Sequence, residues 1–279
     1  MTDHIETLAE LDRPVSLLDH VEAADPEVAR RLVMSRRTAL AAGAAIATAP
    51  VALAALARDA FGQSAQPAVV TGILNFALTL EYLEAAFYAQ GVGTSGLIPA
   101  ADQTIFNTIA SHEAQHVTAL QNALGSQARP KPAFDFTAKG AYPTVFSNYD
   151  TFLAVAQAFE DTGVRAYKGQ ATALMPYKAY LATALGIHSV EARHASEVRR
   201  LRGQRLNNAE RAPNKGWITG AATDVPGASA VYAGEDNTVQ LNIDVTTVSS
   251  ASRDNITEAF DEPLTMKQVL AIASNFIVS

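Results

Sequence analysis

Apolar residues recur every three or four positions along four segments of the chain. This spacing places them on one side of an α-helix. It predicts four helices, over about residues 67–90, 102–124, 149–173 and 176–203. Short links join the first helix to the second and the third to the fourth, so each pair is predicted to be antiparallel. The longer link, residues 126–148, is predicted to cross the bundle.

The last quarter of the chain has a different pattern. Four apolar residues alternate there with polar ones: Val239, Leu241, Ile243 and Val245. Such alternation predicts a β-strand. Thr265 and Gln268 have the spacing of a capping box, which predicts a short helix that runs to about Ile277. Residues 204–279 are therefore predicted to form an extension that packs on the bundle.

The composition is that of a globular protein, with 48% hydrophobic and 18% charged residues in a chain of 279. The net charge of −7 argues against nucleic acid as a partner, because phosphate binding needs a basic surface. Cysteine is absent from the sequence, which excludes disulfides, thiolate metal sites and a catalytic thiol. Oxygen and imidazole groups remain as metal ligands.

An arginine pair near the N-terminus precedes a weakly apolar run. Arg36 and Arg37 open residues 34–57, which continue with Ala, Leu and Val. This arrangement resembles a twin-arginine export signal. Gly43 and Pro50 make the same segment a poor membrane anchor. The resemblance implies export to the periplasm or another compartment outside the cytoplasm.

These features divide the chain into three parts. Residues 1–65 are predicted to be a lead and export signal, residues 66–203 the helical bundle, and residues 204–279 the extension. The lead before the arginine pair is unusually long, which leaves Met34 open as the start of the protein. No stable membrane span is expected in the mature protein.

The two halves of the predicted bundle repeat one set of polar residues. In each half, a Glu-x6-Tyr element on one helix is followed by a Glu-x2-His element on the next. The members are Glu81, Tyr88, Glu113 and His116 in the first half, and Glu160, Tyr167, Glu191 and His194 in the second. Residues three or seven apart share a helix face, and here they share the apolar face.

Four glutamates are therefore predicted to point into the bundle interior. Carboxylates buried without partners would be too costly for a fold of this size. Two divalent cations would neutralise the four carboxylates, and two imidazoles would complete the ligand set. The repeated elements thus predict a dinuclear metal site.

This set of residues resembles that of the ferritin-like di-iron carboxylate proteins. Glu-x6-Tyr is similar to the element found in bacterioferritins and rubrerythrins. Three segments also resemble exported bacterial ferritin-like-domain proteins, which are related to plant desiccation-related proteins: LEYLEAAFYAQG, FEDTGVRAYKGQ and AFDEPLTMKQVLAIA. The resemblance implies an all-α fold, a ferritin-like four-helix bundle with a long crossover. Its C-terminal extension is expected to contain a short β element and a short helix.

The implied function is that of an iron-dependent oxidase or peroxidase in oxidative or desiccation stress, with O2 or H2O2 as substrate. Two iron ions would be held by six ligands, with two glutamates bridging them: Glu81, Glu113, His116, Glu160, Glu191 and His194. Manganese is the alternative metal, since oxygen-rich ligation suits either ion better than copper or zinc. Tyr88 and Tyr167 would orient carboxylates or supply an electron.

Two other functions stay open: a non-catalytic, metal-stabilised binding or structural protein, and a manganese catalase-like enzyme. The lack of cysteine excludes a self-contained rubrerythrin with its rubredoxin-type domain. The long extension argues against a closed storage cage, and a homo-oligomer is left open.

Four further polar residues lie close to the predicted ligands in sequence. Glu84 competes with Glu81 as the ligand of the first helix, but no tyrosine follows it by seven residues. Asp161 is predicted to be solvated. His188 is interpreted as a bonded histidine on a helix face in preference to a seventh ligand, and His112 is predicted to point away from the site.

Overall fold

The computed structural model describes residues 66–206 and 215–278, which belong to one compact unit. The predicted lead and export signal lie outside the described residues and stay predictions. The division of the chain into bundle and extension is likewise a prediction, although the contacts between these two parts can be described.

Four long helices form the bundle. They are α1 (Ala68–Gly93), α2 (Gln103–Leu124), α3 (Tyr149–Leu174) and α4 (Lys178–Leu206). Helix α1 packs mainly against α2, and α3 packs mainly against α4. Short connections join each pair, and a long segment leads from α2 to α3. The predicted all-α fold with two hairpins and a long crossover is confirmed.

Two helix ends show how local sequence sets these boundaries. The side chain of Asn148 accepts a hydrogen bond of 2.9 Å from the backbone N–H of Thr151, and this bond caps the start of α3. Helix α2 ends at Gly125, whose φ of 56° is accessible to glycine at little cost. Both boundaries lie within one residue of the predicted ones.

The first helix was predicted to end near residue 90, but α1 continues through Gly91 to Gly93. A Cβ atom added at Gly91 would overlap the ring of Phe152 on α3. Gly91 therefore permits a close approach between two helices and does not terminate its own.

Helix α1 is also long and apolar enough to cross a membrane, alone among the helices of the described ranges. However, 67% of its most apolar stretch is buried inside the bundle. A helix at the core of a bundle has the same length and composition, so this feature is weak support for a membrane span.

Two hydrophobic clusters fill the bundle, one towards each end. Aromatic rings dominate the first, where Phe87 stacks on Phe152 with ring centroids 4.8 Å apart. Aliphatic side chains such as Leu78, Leu120 and Ile187 dominate the second. Both clusters include residues of α1, and the polar residues of this helix lie where the two clusters meet.

The extension contains short elements. These are the helices α5 (Arg253–Thr257) and α6 (Met266–Ala273), the strands β2 (Val239–Gln240), β3 (Ile243–Asp244) and β4 (Ile277–Val278), and the 3-10 turns Ser229–Tyr232 and Val245–Thr247. The crossover adds the 3-10 turn Gly125–Gln127 and strand β1 (Ala133–Phe134). Strand β4 pairs antiparallel with β1, so the end of the extension is joined to the crossover.

The capping box predicted for the last helix is present at the start of α6, formed by Thr265 and Gln268. The predicted end at Ile277 is wrong, since α6 ends at Ala273. The chain then turns, and Ile277 pairs with Phe134. Local periodicity cannot predict this pairing, because the two segments are distant in sequence.

The single strand predicted from the alternation around Leu241 is also wrong. Strands β2 and β3 form an antiparallel hairpin, with Leu241 and Asn242 at its turn. Both turn residues have positive φ, 51° and 66°, as in a two-residue turn between antiparallel strands. Leu241 is 94% exposed, so the alternation does not mark a buried strand face.

A buried arginine joins the extension to the bundle. Arg165 of α3 is fully buried, and its Nε donates to the carbonyl oxygen of Glu262 at 2.7 Å. The same nitrogen lies 2.8 Å from a carboxylate oxygen of Glu235, and the guanidinium also donates to the carbonyls of Val231 and Ala233. Hydrogen bonds to three residues of the extension and an ion pair with a fourth satisfy a charge that would otherwise be costly to bury.

Candidate metal centre

Six polar side chains meet in the middle of the bundle. The glutamates among them have no solvent exposure, and the two histidines are 2% and 5% exposed. Helices α1 and α3 each contribute one glutamate, while α2 and α4 each contribute a glutamate and a histidine three residues later. The six residues are those of the repeated elements: Glu81, Glu113, His116, Glu160, Glu191 and His194.

The six side chains form two overlapping groups that could each hold a metal ion. The first group is Glu81, Glu113, His116 and Glu191; the second is Glu113, Glu160, Glu191 and His194. Within each group, one donor atom from every residue lies within 4.8 Å of the others. Glu113 and Glu191 belong to both groups, so the two positions are adjacent and share two carboxylates.

At the first position, the imidazole of His116 lies among three carboxylates. Its Nδ1 atom is 3.2 Å from Oε2 of Glu81, 3.3 Å from Oε2 of Glu113 and 3.2 Å from Oε1 of Glu191. A single N–H cannot point at three oxygens, whereas three oxygens and one nitrogen can face a common ion.

At the second position, Nδ1 of His194 is 2.9 Å from Oε1 of Glu113 and 3.4 Å from Oε2 of Glu160. These three atoms nevertheless have no hydrogen-bond partner, and the same is true of both carboxylate oxygens of Glu191. They are close together but not aligned as donor and acceptor. Buried polar atoms without partners are rare and often indicate a missing ion. The residues present therefore fit a metal.

The electrostatics of the cluster lead to the same conclusion. Burial raises the pKa of Glu81 to about 7, although the neighbouring His116 opposes the shift. Burial also raises the pKa of Glu160 and of Glu191, and the other carboxylates raise that of Glu191 further. Without a cation, the site thus holds more carboxylates than it can keep ionised.

The two histidines and Glu113 show the opposite effect. Burial favours their neutral forms, but the surrounding carboxylates outweigh it and raise the pKa of His116 and that of His194, the latter to about 11. At Glu113 the two neighbouring imidazoles outweigh burial and lower the pKa. Protonated imidazoles thus compensate part of the negative charge when no metal is present.

Two tyrosines bond the carboxylates across the bundle. The hydroxyl of Tyr88 on α1 donates to Oε1 of Glu160 on α3 at 2.5 Å, and that of Tyr167 on α3 donates to Oε1 of Glu81 on α1. Burial and these carboxylates raise the pKa of both tyrosines, which keeps them protonated donors. The tyrosine of each Glu-x6-Tyr element therefore bonds the glutamate of the other element. The orienting role of the tyrosines stays a prediction.

His112 was predicted to point away from the site, and this is wrong. It is half-buried, and its Nδ1 lies 2.9 Å from Nε2 of His194. The two ring planes differ by 11°, and the ring centroids are 5.2 Å apart. The missed signal is the spacing of four between His112 and His116, which places both on one side of α2. The matching position in the second half is Val190.

Glu84 lies beside the cluster without belonging to either group. It is 4% exposed, and burial and the repulsion of Glu191 raise its pKa. Its counterpart in the repeat, Gly163, faces the same space. A Cβ atom added at Gly163 would lie 2.7 Å from Oε2 of Glu191 and 3.3 Å from Oε1 of Glu84. Gly163 thus leaves room for both carboxylates.

Asp161 was predicted to be solvated, but it is only 2% exposed. Nε of Arg199 donates to its Oδ1 at 3.0 Å, and the hydroxyl of Tyr232 donates to its Oδ2 at 2.7 Å. Its neighbours from α4 and from the extension could not be predicted from the sequence of α3 alone.

Nδ1 of His188 lies 3.0 Å from the carbonyl oxygen of Val164, which agrees with the interpretation of His188 as a bonded histidine on a helix face.

The four-helix arrangement and the buried glutamate and histidine cluster together define a ferritin-like bundle. Residues 70–204 match the family model described as "Ferritin-like domain", and this range spans nearly all of the four long helices. The match supports the predicted relation to the ferritin-like superfamily. No curated protein matches the chain.

Proposed function

We propose that this protein is an exported ferritin-like protein that binds two iron ions and acts as an iron-dependent oxidase or peroxidase. One observation carries the proposal: two adjacent groups of buried donor atoms share Glu113 and Glu191, and several of these atoms have no partner. A pair of such positions suits a reaction in which two metal ions share a change of two electrons.

The residues divide naturally between the two positions. Glu81 and His116 would bind one ion, Glu160 and His194 the other, and the two shared glutamates both. Carboxylate oxygens with few imidazoles favour iron or manganese over copper or zinc. When bound, the iron pair would supply electrons to O2 or H2O2.

Residues around the site orient its donor atoms and exclude water. Tyr88 and Tyr167 each hold one carboxylate oxygen by a hydrogen bond, which leaves the other oxygen of that group to face the site. The hydrophobic clusters on both sides keep bulk water away from the donor atoms. The bond to His112 fixes the orientation of the His194 ring.

A metal-stabilised structural protein is the second candidate. The raised pKa values of four buried glutamates favour it, because any cation that removes this repulsion stabilises the fold whether or not a reaction follows. A manganese catalase-like enzyme would need the same types of ligand.

Reaction of the iron-loaded protein with O2 and with H2O2 separates these functions. An oxidase or peroxidase oxidises its bound iron faster than free Fe(II) reacts, followed by near-ultraviolet absorbance. Tyr88→Phe and Tyr167→Phe should slow this step while metal content stays nearly intact. A protein that gains thermal stability with iron but oxidises it no faster than free metal would be structural. Evolution of O2 from H2O2 by the manganese-loaded form would identify a catalase.

The export part of the proposal is supported by the arginine pair before a weakly apolar run. Replacement of Arg36 and Arg37 by lysine should leave the precursor in the cytoplasm. Export that continues unchanged after this double substitution contradicts the twin-arginine assignment. Survival of a deletion strain under peroxide and drying tests the proposed stress role.

A further inference from the structure

An apolar cavity lies in the bundle interior next to the candidate metal centre. Its wall includes side chains from all four long helices, among them Leu74, Ala77, Leu120, Tyr167 and Ile187. Its volume is about 20 Å³. A cavity needs at least about 10–15 Å³ to hold one water molecule. The cavity therefore has room for a molecule slightly larger than water.

The cavity adjoins one side of the metal centre. Ala77, Leu120 and Ile187 each lie four residues from a proposed ligand on the same helix, a distance of about 6 Å along the helix axis. Tyr167 is in the cavity wall, and its hydroxyl donates to Glu81. The cavity is thus about one helical turn from the position that Glu81 and His116 would bind.

The chemistry of the wall selects the occupant. Nearly all of its surface comes from apolar atoms, and the hydroxyl of Tyr167 is already bonded to the carboxylate of Glu81. A buried water needs two to four polar partners, so water and the similarly polar H2O2 are poorly held here. Apolar cavities in other proteins bind small apolar molecules such as xenon.

We propose that this cavity binds dioxygen and holds it beside the Glu81 and His116 side of the metal centre. The identification of dioxygen as the occupant rests on the proposed oxidase function, while the binding of an apolar gas does not. The inference favours O2 over H2O2 as the oxidant that reaches the site through the protein interior.

A second cavity, lined by Glu84, Gly163, Ile272 and Ala273 among others, fits dioxygen less well. Its volume is about 10 Å³, half that of the first, and its wall contains a carboxyl group. The larger cavity is therefore the one to test.

Crystals of the metal-free protein under xenon pressure test the cavity directly. We expect one xenon atom between Leu74, Leu120 and Ile187. Ala184 also lines the cavity and is buried, so Ala184→Leu should fill the space and abolish xenon binding. Ala182 lies on the same helix but is exposed, so Ala182→Leu is the matched control and should keep the xenon. An absence of xenon in the wild type overturns the proposal.

Rapid mixing of the iron-loaded variants tests the occupant. Ala184→Leu should slow oxidation by O2 several-fold and leave oxidation by H2O2 at the wild-type rate, while Ala182→Leu changes neither. Equal slowing with both oxidants would mean that the substitution distorts the site, and this overturns the proposal. If wild type binds xenon but reacts with neither oxidant, the proposed function fails and dioxygen is overturned as the occupant. Should Ala184→Leu not fold, Ala123→Leu at the half-buried rim serves instead.

Discussion

The two halves of the repeat supply the same ligands to the centre but surround them with different residues. Where the first half has Glu84, the second has Gly163; where the first has His112, the second has Val190. The ligands keep the same order in both halves, although 32 residues separate Glu81 from Glu113 and 31 separate Glu160 from Glu191. The two metal positions therefore have equivalent ligands in different surroundings.

The difference between Glu84 and Gly163 has a steric cause. These two counterparts face the same space from α1 and α3, next to Glu191. A glutamate at both positions would place two side chains in the room available for one. The approximate symmetry of the bundle therefore requires an asymmetric pair at this point.

The two ends of the centre also differ in their access to solvent. The position of Glu81 and His116 adjoins an apolar cavity, whereas His194 contacts the half-buried His112. A bound apolar gas is expected at the first end, and exchange with solvent is expected at the second. The following four predictions test how far the halves are equivalent.

The largest effect is expected from the shared glutamates. Because Glu113 belongs to both groups, Glu113→Ala should lose both metal ions, whereas Glu81→Ala should lose one. Metal content measured by mass spectrometry at equal free metal concentration distinguishes the two variants. Retention of one ion by Glu113→Ala would show that the positions are independent.

The next effect concerns the stability of the metal-free protein between pH 4.5 and about 7. Burial raises the pKa of Glu81 from 4.5 to about 7, so the folded state binds more protons than the unfolded state in this window. Stability should therefore fall as the pH rises, by about 3 kcal/mol for this group.

Chemical denaturation across the window, with and without metal, measures this effect. Metal should remove most of the pH dependence, since it replaces the protons. Glu81→Gln and Glu160→Gln in the metal-free protein show whether both halves contribute. A metal-free stability that rises with pH over this window contradicts the prediction.

A third test concerns the space beside Glu191. Gly163→Ala should displace this shared carboxylate and weaken metal binding about a hundredfold, at the upper end of the effect of disturbed ligand surroundings. Gly186 lies in α4 with open space around it, so Gly186→Ala is the control. The control should bind metal normally and stabilise the helix by about 1 kcal/mol. Equal metal affinity in the two variants would refute the steric argument.

The smallest effect is expected at His112. His112→Val introduces the residue found at the matching position of the second half and removes the hydrogen-bond partner of His194. The affinity for the ion at the position of Glu160 and His194 should therefore fall about tenfold. The affinity of the other ion should change little. His112→Gln offers an amide oxygen as acceptor and should restore most of the loss. Stepwise Co(II) titration resolves the two affinities, and an equal loss at both positions argues against this role.

Features that depend on neighbours within one helix could be predicted from the sequence. Spacings of three and seven place each glutamate on the same face as its histidine or tyrosine, and the apolar residues show that this face is the buried one. The capping box of α6 is equally local, since Thr265 and Gln268 satisfy each other's backbone groups. For these reasons the four helices and the six candidate ligands could be predicted.

Contacts between residues of different elements could not be predicted in this way and depend on how the helices pack. Tyr88 bonds Glu160 on another helix, His112 reaches His194, and Asp161 is buried by groups from two other segments. Each of these contacts depends on the rotation and axial position of one helix relative to another, which the packing of the whole core sets. Periodicity within a single helix holds no information about that arrangement.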